Sequence, residues 1–127
     1  MQRIMGKNLR RRSKSKATLD KADRALQDYY RARYTGARCE VCGKPFETMH
    51  HHLLKSQSNA GRFERINLIF ICHKCHSKIS FGDLTGVARY SSKRGLKWVE
   101  KIETLKKVRK QYYTKKELEA IIKKYEL

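Results

Sequence analysis

Two short stretches, Cys39-Glu-Val-Cys42 and Cys72-His-Lys-Cys75, decide the fold of this 127-residue chain, because they contain all four of its cysteines. Each pair places two thiolates on one tight turn, which suits a tetrahedral zinc ion that needs four soft ligands. The chain shows no secretory signal, so we expect a reducing compartment and no disulfides. A thioredoxin-like redox pair would need a βαβ context, and two such pairs would be redundant. We therefore expect one structural Zn²⁺, held by Cys39, Cys42, Cys72 and Cys75.

The overall composition indicates a small protein that binds a polyanion. The chain has 31 Lys+Arg and 12 Asp+Glu, a formal net charge of +19, and such an excess repels itself unless a polyanion neutralises it. The apolar fraction is 39%, which predicts a thin core in need of reinforcement. No apolar run approaches the roughly 18 residues of a transmembrane helix. We expect an intracellular protein with no membrane segment and with nucleic acid as its partner.

Charge and apolar periodicity divide the chain into four expected parts. Residues 1–16 contain seven basic residues and no acid, which predicts a flexible arm that becomes ordered on a phosphate backbone. A solvated tail that only aids solubility is the alternative. Residues 17–36 form an expected N-terminal helix, and residues 37–84 form the core with all the cysteines and histidines. Residues 85–127 form an expected helical extension.

Helical spacing of apolar residues predicts the flanking helices. The first runs from an N-cap at Thr18 to a stop at Gly36, and we assign its tyrosines to packing rather than to base stacking. A second spans 96–110. The stretch Thr114-Lys-Lys-Glu117 is a capping box, so a last helix is expected over 115–125. The apolar faces of the C-terminal helices could pack on the core or on a second copy, which leaves a homodimer open.

The core segment predicts a β-hairpin followed by a short helix. Residues 49–54 and 66–71 have strand character, and the polar, glycine-containing stretch 55–65 between them reads as a loop. The two runs therefore look like an antiparallel pair with a long connection. A helix should begin near residue 73 and run through residue 79, and the sequence 81–83 should end it.

A zinc site with four cysteine ligands does not account for the histidines of the core. His50, His51 and His52 are consecutive, Asn67 begins the second strand-like run, and His76 follows the fourth cysteine. In a strand, neighbouring side chains point to opposite faces. These residues could converge around the hairpin and helix, where they would hold one divalent metal and one imidazole base.

The order of these motifs is similar to that of a known family. His51-His52-Leu-Leu, then Asn67-Leu68, then Cys72-His-Lys-Cys75-His76 resemble the HNH endonucleases over about residues 38 to 82. The resemblance implies an α+β fold with a small ββα-metal core, in which two zinc knuckles share one four-cysteine zinc. Here that core would be flanked by N-terminal and C-terminal helices. The implied activity is metal-dependent hydrolysis of phosphodiester bonds in DNA.

The resemblance also implies roles for individual residues. His52 corresponds to the general base that activates water, and Asn67 to the residue that orients the catalytic imidazole. His51 and His76 correspond to ligands of the catalytic divalent ion, which in this family is usually Mg²⁺, with Mn²⁺ as an alternative.

The triple histidine leaves the register open. His50 and His51 could instead be ligand and base, although the apolar residues that follow His52 favour the first assignment. Many relatives carry another ligand about four residues after the terminal histidine, where this chain has Ser80, so a third ligand is in doubt. His73, between two cysteines, is expected to be exposed and not to bind metal.

Basic residues supply the expected DNA contacts. The arm and the terminal helices would give phosphate affinity that is independent of sequence and that falls steeply with salt. Residues in the hairpin loop could contact phosphates near the cleavage site, although a solvated loop explains them equally well. The candidates are Arg10, Arg11, Arg12, Lys55, Arg62 and Arg65.

A weaker resemblance extends further along the chain. Arg62-Phe63, Asn67, Tyr90, Gly95 and Thr114-Lys-Lys-Glu-Leu118 look like the phage NinG/Rap recombination proteins. This resemblance implies a branched recombination intermediate, such as a Holliday junction, as substrate. It also implies a bacterial or phage-infected host cell, and it favours a dimer because two symmetric nicks need two active sites.

Other functions fit the sequence less well. A zinc-knuckle module that binds nucleic acid without catalysis accounts for the cysteines and the charge, and so does a ribosomal-type zinc protein. Both leave the ordered set of histidines and Asn67 unexplained. A zinc deaminase would need His-x-Glu followed by Pro-Cys-x-x-Cys, and this pattern is missing from the chain.

Overall fold

The computed structural model describes residues 2–126, and it describes side chains for residues 16–126. Within this part the fold is α+β, as predicted, with five α-helices and one two-stranded sheet. The described helices do not include one that is long and apolar enough to cross a membrane. The elements in chain order are α1 (Gln2–Arg33), β1 (Thr48–His51), a 3₁₀ turn (Arg65–Asn67), β2 (Leu68–Ile71), α2 (His73–Ser80), α3 (Leu84–Arg94), α4 (Leu96–Lys107) and α5 (Lys115–Tyr125).

The two strands form the expected antiparallel pair, with Thr48 opposite Ile71 and His51 opposite Leu68. Both strands are shorter than the predicted 49–54 and 66–71. The ladder stops because the side chain of Asn67 forms hydrogen bonds with the backbone N–H and C=O groups of Leu53. Its Oδ1 accepts from Leu53 N at 2.7 Å, and its Nδ2 donates to Leu53 O at 3.0 Å.

The helix after β2 confirms the prediction of a helix over 73–79, and it extends one residue further, to Ser80. Its N-cap is Cys72, whose sulfur accepts a hydrogen bond from Cys75 N at 3.5 Å. Phe81 is the C-cap of the helix, and the following Gly82 has a φ of +96°, a backbone conformation that favours glycine. One zinc-binding pair therefore also begins the helix that carries His76.

The helices α3 and α4 complete the core of the hairpin unit. Tyr90 of α3 and Trp98 and Ile102 of α4 pack with Ile69 and Ile71 of β2. The sequence analysis did not single out α3, because its sequence is polar and few of its residues are buried. Helix α4 ends at Lys107, three residues before the predicted end.

Arg94, the last residue of α3, joins three parts of this unit. Its Nε donates to Glu40 Oε1 at 2.7 Å, and an Nη donates to Glu40 Oε2 at 2.8 Å. The same Nη donates to Leu68 O at 2.8 Å, and the guanidinium lies 5.3 Å from the centre of the Trp98 ring. Glu40 also accepts from Phe70 N at 2.7 Å. The first zinc knuckle, β2 and α3 are thus held by one half-buried ion pair.

The described residues up to Tyr30, together with those from Tyr113 onward, form a separate compact unit. Helix α5 has the predicted bounds and the predicted capping box, with Thr114 Oγ1 accepting from Glu117 N at 3.2 Å. The Tyr125 ring lies 5.1 Å from Tyr29 and 5.8 Å from Tyr30, centre to centre. These tyrosines therefore pack in this unit, as predicted.

The first helix begins at Gln2, so the predicted N-cap at Thr18 is wrong and the segment predicted as a flexible arm, 1–16, is helical from Gln2. The physical reason is that arginine, lysine, leucine and glutamine are good helix formers, and the stretch contains no proline. The side chains of Arg10, Arg11 and Arg12 lie outside the described residues.

Replacing Arg94 tests the ion pair. Arg94→Met should lower the free energy of unfolding by about 2 kcal/mol, because it leaves the half-buried Glu40 carboxylate without its partner. Urea titration of the zinc-loaded protein measures this change. Arg89→Met, on the exposed side of the same helix, is the matched control and should stay within about 0.5 kcal/mol of wild type. Equal stability of the two variants would contradict the role given to Arg94.

Candidate active site and zinc centre

The four cysteines come together, as the sequence predicted. Their sulfurs all lie within 4.8 Å of one another, and Cys42 Sγ is 3.7 Å from Cys72 Sγ. A tetrahedral zinc ion with Zn–S bonds of about 2.3 Å separates its sulfurs by about 3.8 Å, so this spacing fits a structural zinc. Three of the cysteines are buried and Cys42 is exposed.

Backbone N–H groups shape both knuckles around the sulfurs. Val41 N donates to Cys39 Sγ at 3.4 Å in the first knuckle, and Cys75 N donates to Cys72 Sγ in the second. A hydrogen bond from the Lys44 backbone lowers the pKa of the Cys42 thiol to about 7. Burial raises the pKa of the Cys75 thiol. Because a metal binds the thiolates, it must displace these protons, and its binding is coupled to folding of the knuckles.

Removing the metal tests this centre. Treatment with 1,10-phenanthroline should unfold the hairpin unit, because its small core lacks the contacts to hold the knuckles by itself. Trp98 is buried in that core, so its fluorescence should shift to the red on chelation and recover when Zn²⁺ is added back. Cys72→Ser should unfold the same unit. A well-folded protein without bound metal would contradict a structural zinc.

The histidines of β1 alternate between two environments. The His50 ring lies 5.5 Å from the ring of His76 on α2, centre to centre. His51 Nε2 lies 2.8 Å from the backbone oxygen of Arg62, in the loop between the strands. The structure thus brings His50, rather than His51, beside His76. This arrangement favours the register in which His50 and His51, not His51 and His52, are the first two residues of the motif.

His52 lies just after β1 and contacts the helical extension. Its Nδ1 is 2.6 Å from the hydroxyl of Tyr90, and its ring lies 5.0 Å from the Trp98 ring. Burial lowers the pKa of His52, and the charge of Arg94 lowers it further. The residue predicted as general base is therefore packed against α3 and α4.

Asn67 is fully buried, and its hydrogen bonds go to the backbone. Besides the two bonds to Leu53, its Nδ2 donates to Gly61 O at 3.1 Å. The sequence analysis expected this amide to orient the catalytic imidazole directly. Here it fixes the loop, and the loop carbonyl of Arg62 contacts His51. The structure therefore connects Asn67 to His51 through the loop, and its catalytic role stays a prediction.

Burial keeps the paired histidines neutral near pH 7. It lowers the pKa of His50 to about 4, with a further contribution from His76. Burial also lowers the pKa of His76, helped by the charge of His73. Neutral imidazoles can bind a metal ion or accept a proton, whereas imidazolium ions can do neither. Among the described residues, the four cysteines are the one group of three or more potential ligands that converge.

The other candidate residues have mixed environments. Lys55 and Arg65 are exposed and Arg62 is half-buried. Arg65 donates to the Tyr34 hydroxyl at 3.0 Å and lies over that ring. His73 is exposed, as expected for a knuckle residue that does not bind the metal. The roles of the three basic residues in DNA binding stay predictions.

Of the residues that surround His52, Arg94 and Trp98 were not predicted from the sequence, and Tyr90 was noted only in the resemblance to the phage recombination proteins. Tyr90, Arg94 and Trp98 are spaced by four residues, which in one continuous helix would have been a visible stripe. Gly95, with a φ of +88°, separates α3 from α4, so the three residues belong to two helices. Their spacing of four residues therefore did not indicate a shared surface.

Comparison with known proteins gives a match over the core. Residues 39–82 match the family model described as HNH endonuclease, which confirms the predicted resemblance over about a third of the chain. The matched segment contains the four cysteines, the histidine run, Asn67 and His76, and it supports nuclease activity in general terms. Neither the curated proteins nor the solved structures contain a match to the chain. The match does not reach Tyr90, Gly95 or residues 114–118, so the resemblance to the phage recombination proteins stays a prediction.

Gly61 gives a test of the loop that Asn67 fixes. A Cβ at Gly61 would lie 2.9 Å from Asn67 Nδ2, so Gly61→Ala must displace the amide that holds Leu53. We expect a loss of about 1–3 kcal/mol in the free energy of unfolding, measured by urea titration. Ser56→Ala, at an exposed position of the same loop, should have no measurable effect. Wild-type stability of Gly61→Ala would show that the loop does not depend on this contact.

Proposed function

We propose that this chain is a DNA endonuclease that uses a divalent metal to hydrolyse phosphodiester bonds, with His50 and His76 as metal ligands and His51 as the base. The observation that carries the proposal is the pairing of His50 with His76 next to a His51 held by the Arg62 carbonyl. The HNH match and the net charge of +19 support DNA as the substrate.

The donor set fits a divalent ion of the first transition row. His50 and His76 are adjacent and their pKa values are lowered, so both imidazoles are available as neutral ligands. When bound, such an ion neutralises the negative charge that develops on the phosphate and on the leaving oxygen. Imidazole suits Mn²⁺ better than Mg²⁺, which prefers carboxylate and water oxygens. We therefore expect Mn²⁺ to support cleavage at least as well as Mg²⁺.

The contact of His51 with Arg62 supports one tautomer of its neutral ring. A carbonyl oxygen can only accept a hydrogen bond, so Nε2 of His51 carries the proton and donates it to the Arg62 carbonyl. The unprotonated nitrogen is then Nδ1, and this atom can take a proton from the attacking water. Asn67 supports this orientation through the loop that it fixes.

The partners of the two histidines also support His51 rather than His52 as the base. His52 is hydrogen-bonded to Tyr90 and packed against Trp98. These contacts give it a structural role in holding α3 and α4. Replacing His52 should therefore weaken the packing of α3 and α4, whereas replacing His51 should remove the base and leave the helices in place.

Cleavage by single variants tests the proposal. Wild type, His51→Ala and His52→Ala, each loaded with zinc, are incubated with duplex DNA in Mn²⁺, in Mg²⁺ or with no added divalent ion. His51→Ala should cut at least about 100-fold more slowly than wild type, with unchanged zinc content, at temperatures where it is folded. His52→Ala should lose stability and keep cleavage at temperatures where it is folded. Loss of cleavage in His52→Ala alone would move the base to His52.

A narrower version of the proposal concerns the substrate. The scattered likeness to phage recombination proteins supports a branched intermediate such as a Holliday junction, for which a homodimer would provide two active sites. Adding a four-way junction and a single strand to the same assay tests this version. Preference for the junction would support it, and equal cutting of linear duplex would contradict it.

A second candidate function is binding of nucleic acid without catalysis. The zinc knuckles and the net charge favour it. Tight binding with no cleavage of any substrate in either metal ion would establish this function and contradict the nuclease.

A further inference from the structure

A groove on α2 lies away from the histidine cluster. It has a volume of about 620 Å³ and is lined by Lys74, Ser77, Lys78, Phe81, Gly82 and Asp83. Four of these residues follow the spacing i, i+3, i+4, i+7, so they share one face of the helix. His76 is rotated by about 200° from Lys74 around the helix axis and contacts His50 on the other side. The groove is therefore a separate surface of the same helix.

The aromatic ring of this groove is unusually exposed. Phe81 has 91% of its surface in contact with solvent, although phenylalanine is normally placed in the core. The backbone holds it there, because Phe81 N donates to Ser77 O at 3.1 Å and Gly82 N to Ile79 O at 2.9 Å. The backbone at the end of α2 is thus fixed, and it places the Phe81 side chain at the surface.

The charge around the ring is positive. Lys74 and Lys78 are exposed beside it. The one acid of the groove, Asp83, accepts a hydrogen bond from Thr85 N at 3.0 Å and caps α3. The groove thus pairs an aromatic face with two ammonium groups, an arrangement that suits a base with its flanking phosphates.

We propose that this groove binds an unpaired nucleotide of a single DNA strand, with its base stacked on Phe81 and its phosphates near Lys74 and Lys78. An aromatic face binds any base, so this contact would add affinity without reading sequence. In a duplex the bases are already stacked and paired, and a groove of this kind receives only a base that has left the stack.

This proposal rests on the proposed function in taking DNA as the partner, and it adds a contact outside the catalytic histidines. It predicts that the protein prefers substrates in which unpaired bases adjoin a duplex, because the two surfaces of α2 would then both be used.

A fluorescent reporter at Phe81 tests the proposal. Phe81→Trp, made together with His51→Ala and loaded with zinc, is titrated with oligothymidine and with duplex DNA of equal length, without added divalent ion. Stacking should quench the new tryptophan in a saturable way with the single strand and much less with the duplex. Trp98 is buried and changes little. Leu84→Trp in the same background is the matched control, because Leu84 is also highly exposed, at 78%, but does not line the groove.

Binding variants give a second, independent readout. Phe81→Ala should weaken binding of oligothymidine about tenfold and leave duplex binding unchanged. Lys74→Ala should weaken binding and reduce the salt dependence. Equal quenching in Leu84→Trp, or unchanged binding by Phe81→Ala, would overturn the groove. Cleavage of DNA without quenching would contradict the groove proposal and leave the nuclease proposal standing. Quenching without any cleavage would contradict the nuclease proposal alone.

Discussion

The convergence of four sulfurs within 4.8 Å is the constraint on which the rest of this core depends. The sheet has two strands of four residues each, and an isolated hairpin of that size is marginal in water. The cysteines come from two segments separated by about thirty residues of loop and strand. A metal that joins them fixes the first knuckle to the end of β2 and to the start of α2, and thereby provides the stability that a larger apolar core would give.

The placement of the histidines follows from this frame through a chain of hydrogen bonds. Cys72 directly follows β2 and is the N-cap of α2, so it sets the position of His76. At the other end of the hairpin, Asn67 pins the loop to Leu53 and Gly61, and the neighbouring carbonyl contacts His51. One end of the hairpin is closed by metal and the other by a buried amide, and the histidines lie between them.

The features that the sequence predicted well are local or chemical. A few adjacent residues are enough to recognise each of them: the cysteine spacing, the two strand-like runs of the hairpin, α2 and the capping box at Thr114. The register of three consecutive histidines depends on where β1 ends, which is decided by the buried amide of Asn67 in the 3₁₀ turn before β2. The start of α1 was misjudged because lysine and arginine are typical both of basic arms and of helices. The packing of His52 on Tyr90 depends on a tertiary contact that no local pattern contains.

The exposure of Cys42 has a consequence for how the metal is exchanged. Three ligands are buried in the core, while this one lies at the surface. A metal ion can therefore enter or leave through one corner of the tetrahedron while the other three sulfurs stay attached to the fold. Replacement by another thiophilic ion, such as Co²⁺, needs only that corner to open. Cys42 is also the thiolate that is most accessible to an oxidant. Because its oxidation would remove a metal ligand, the stability of the whole core depends on keeping this one surface thiolate reduced.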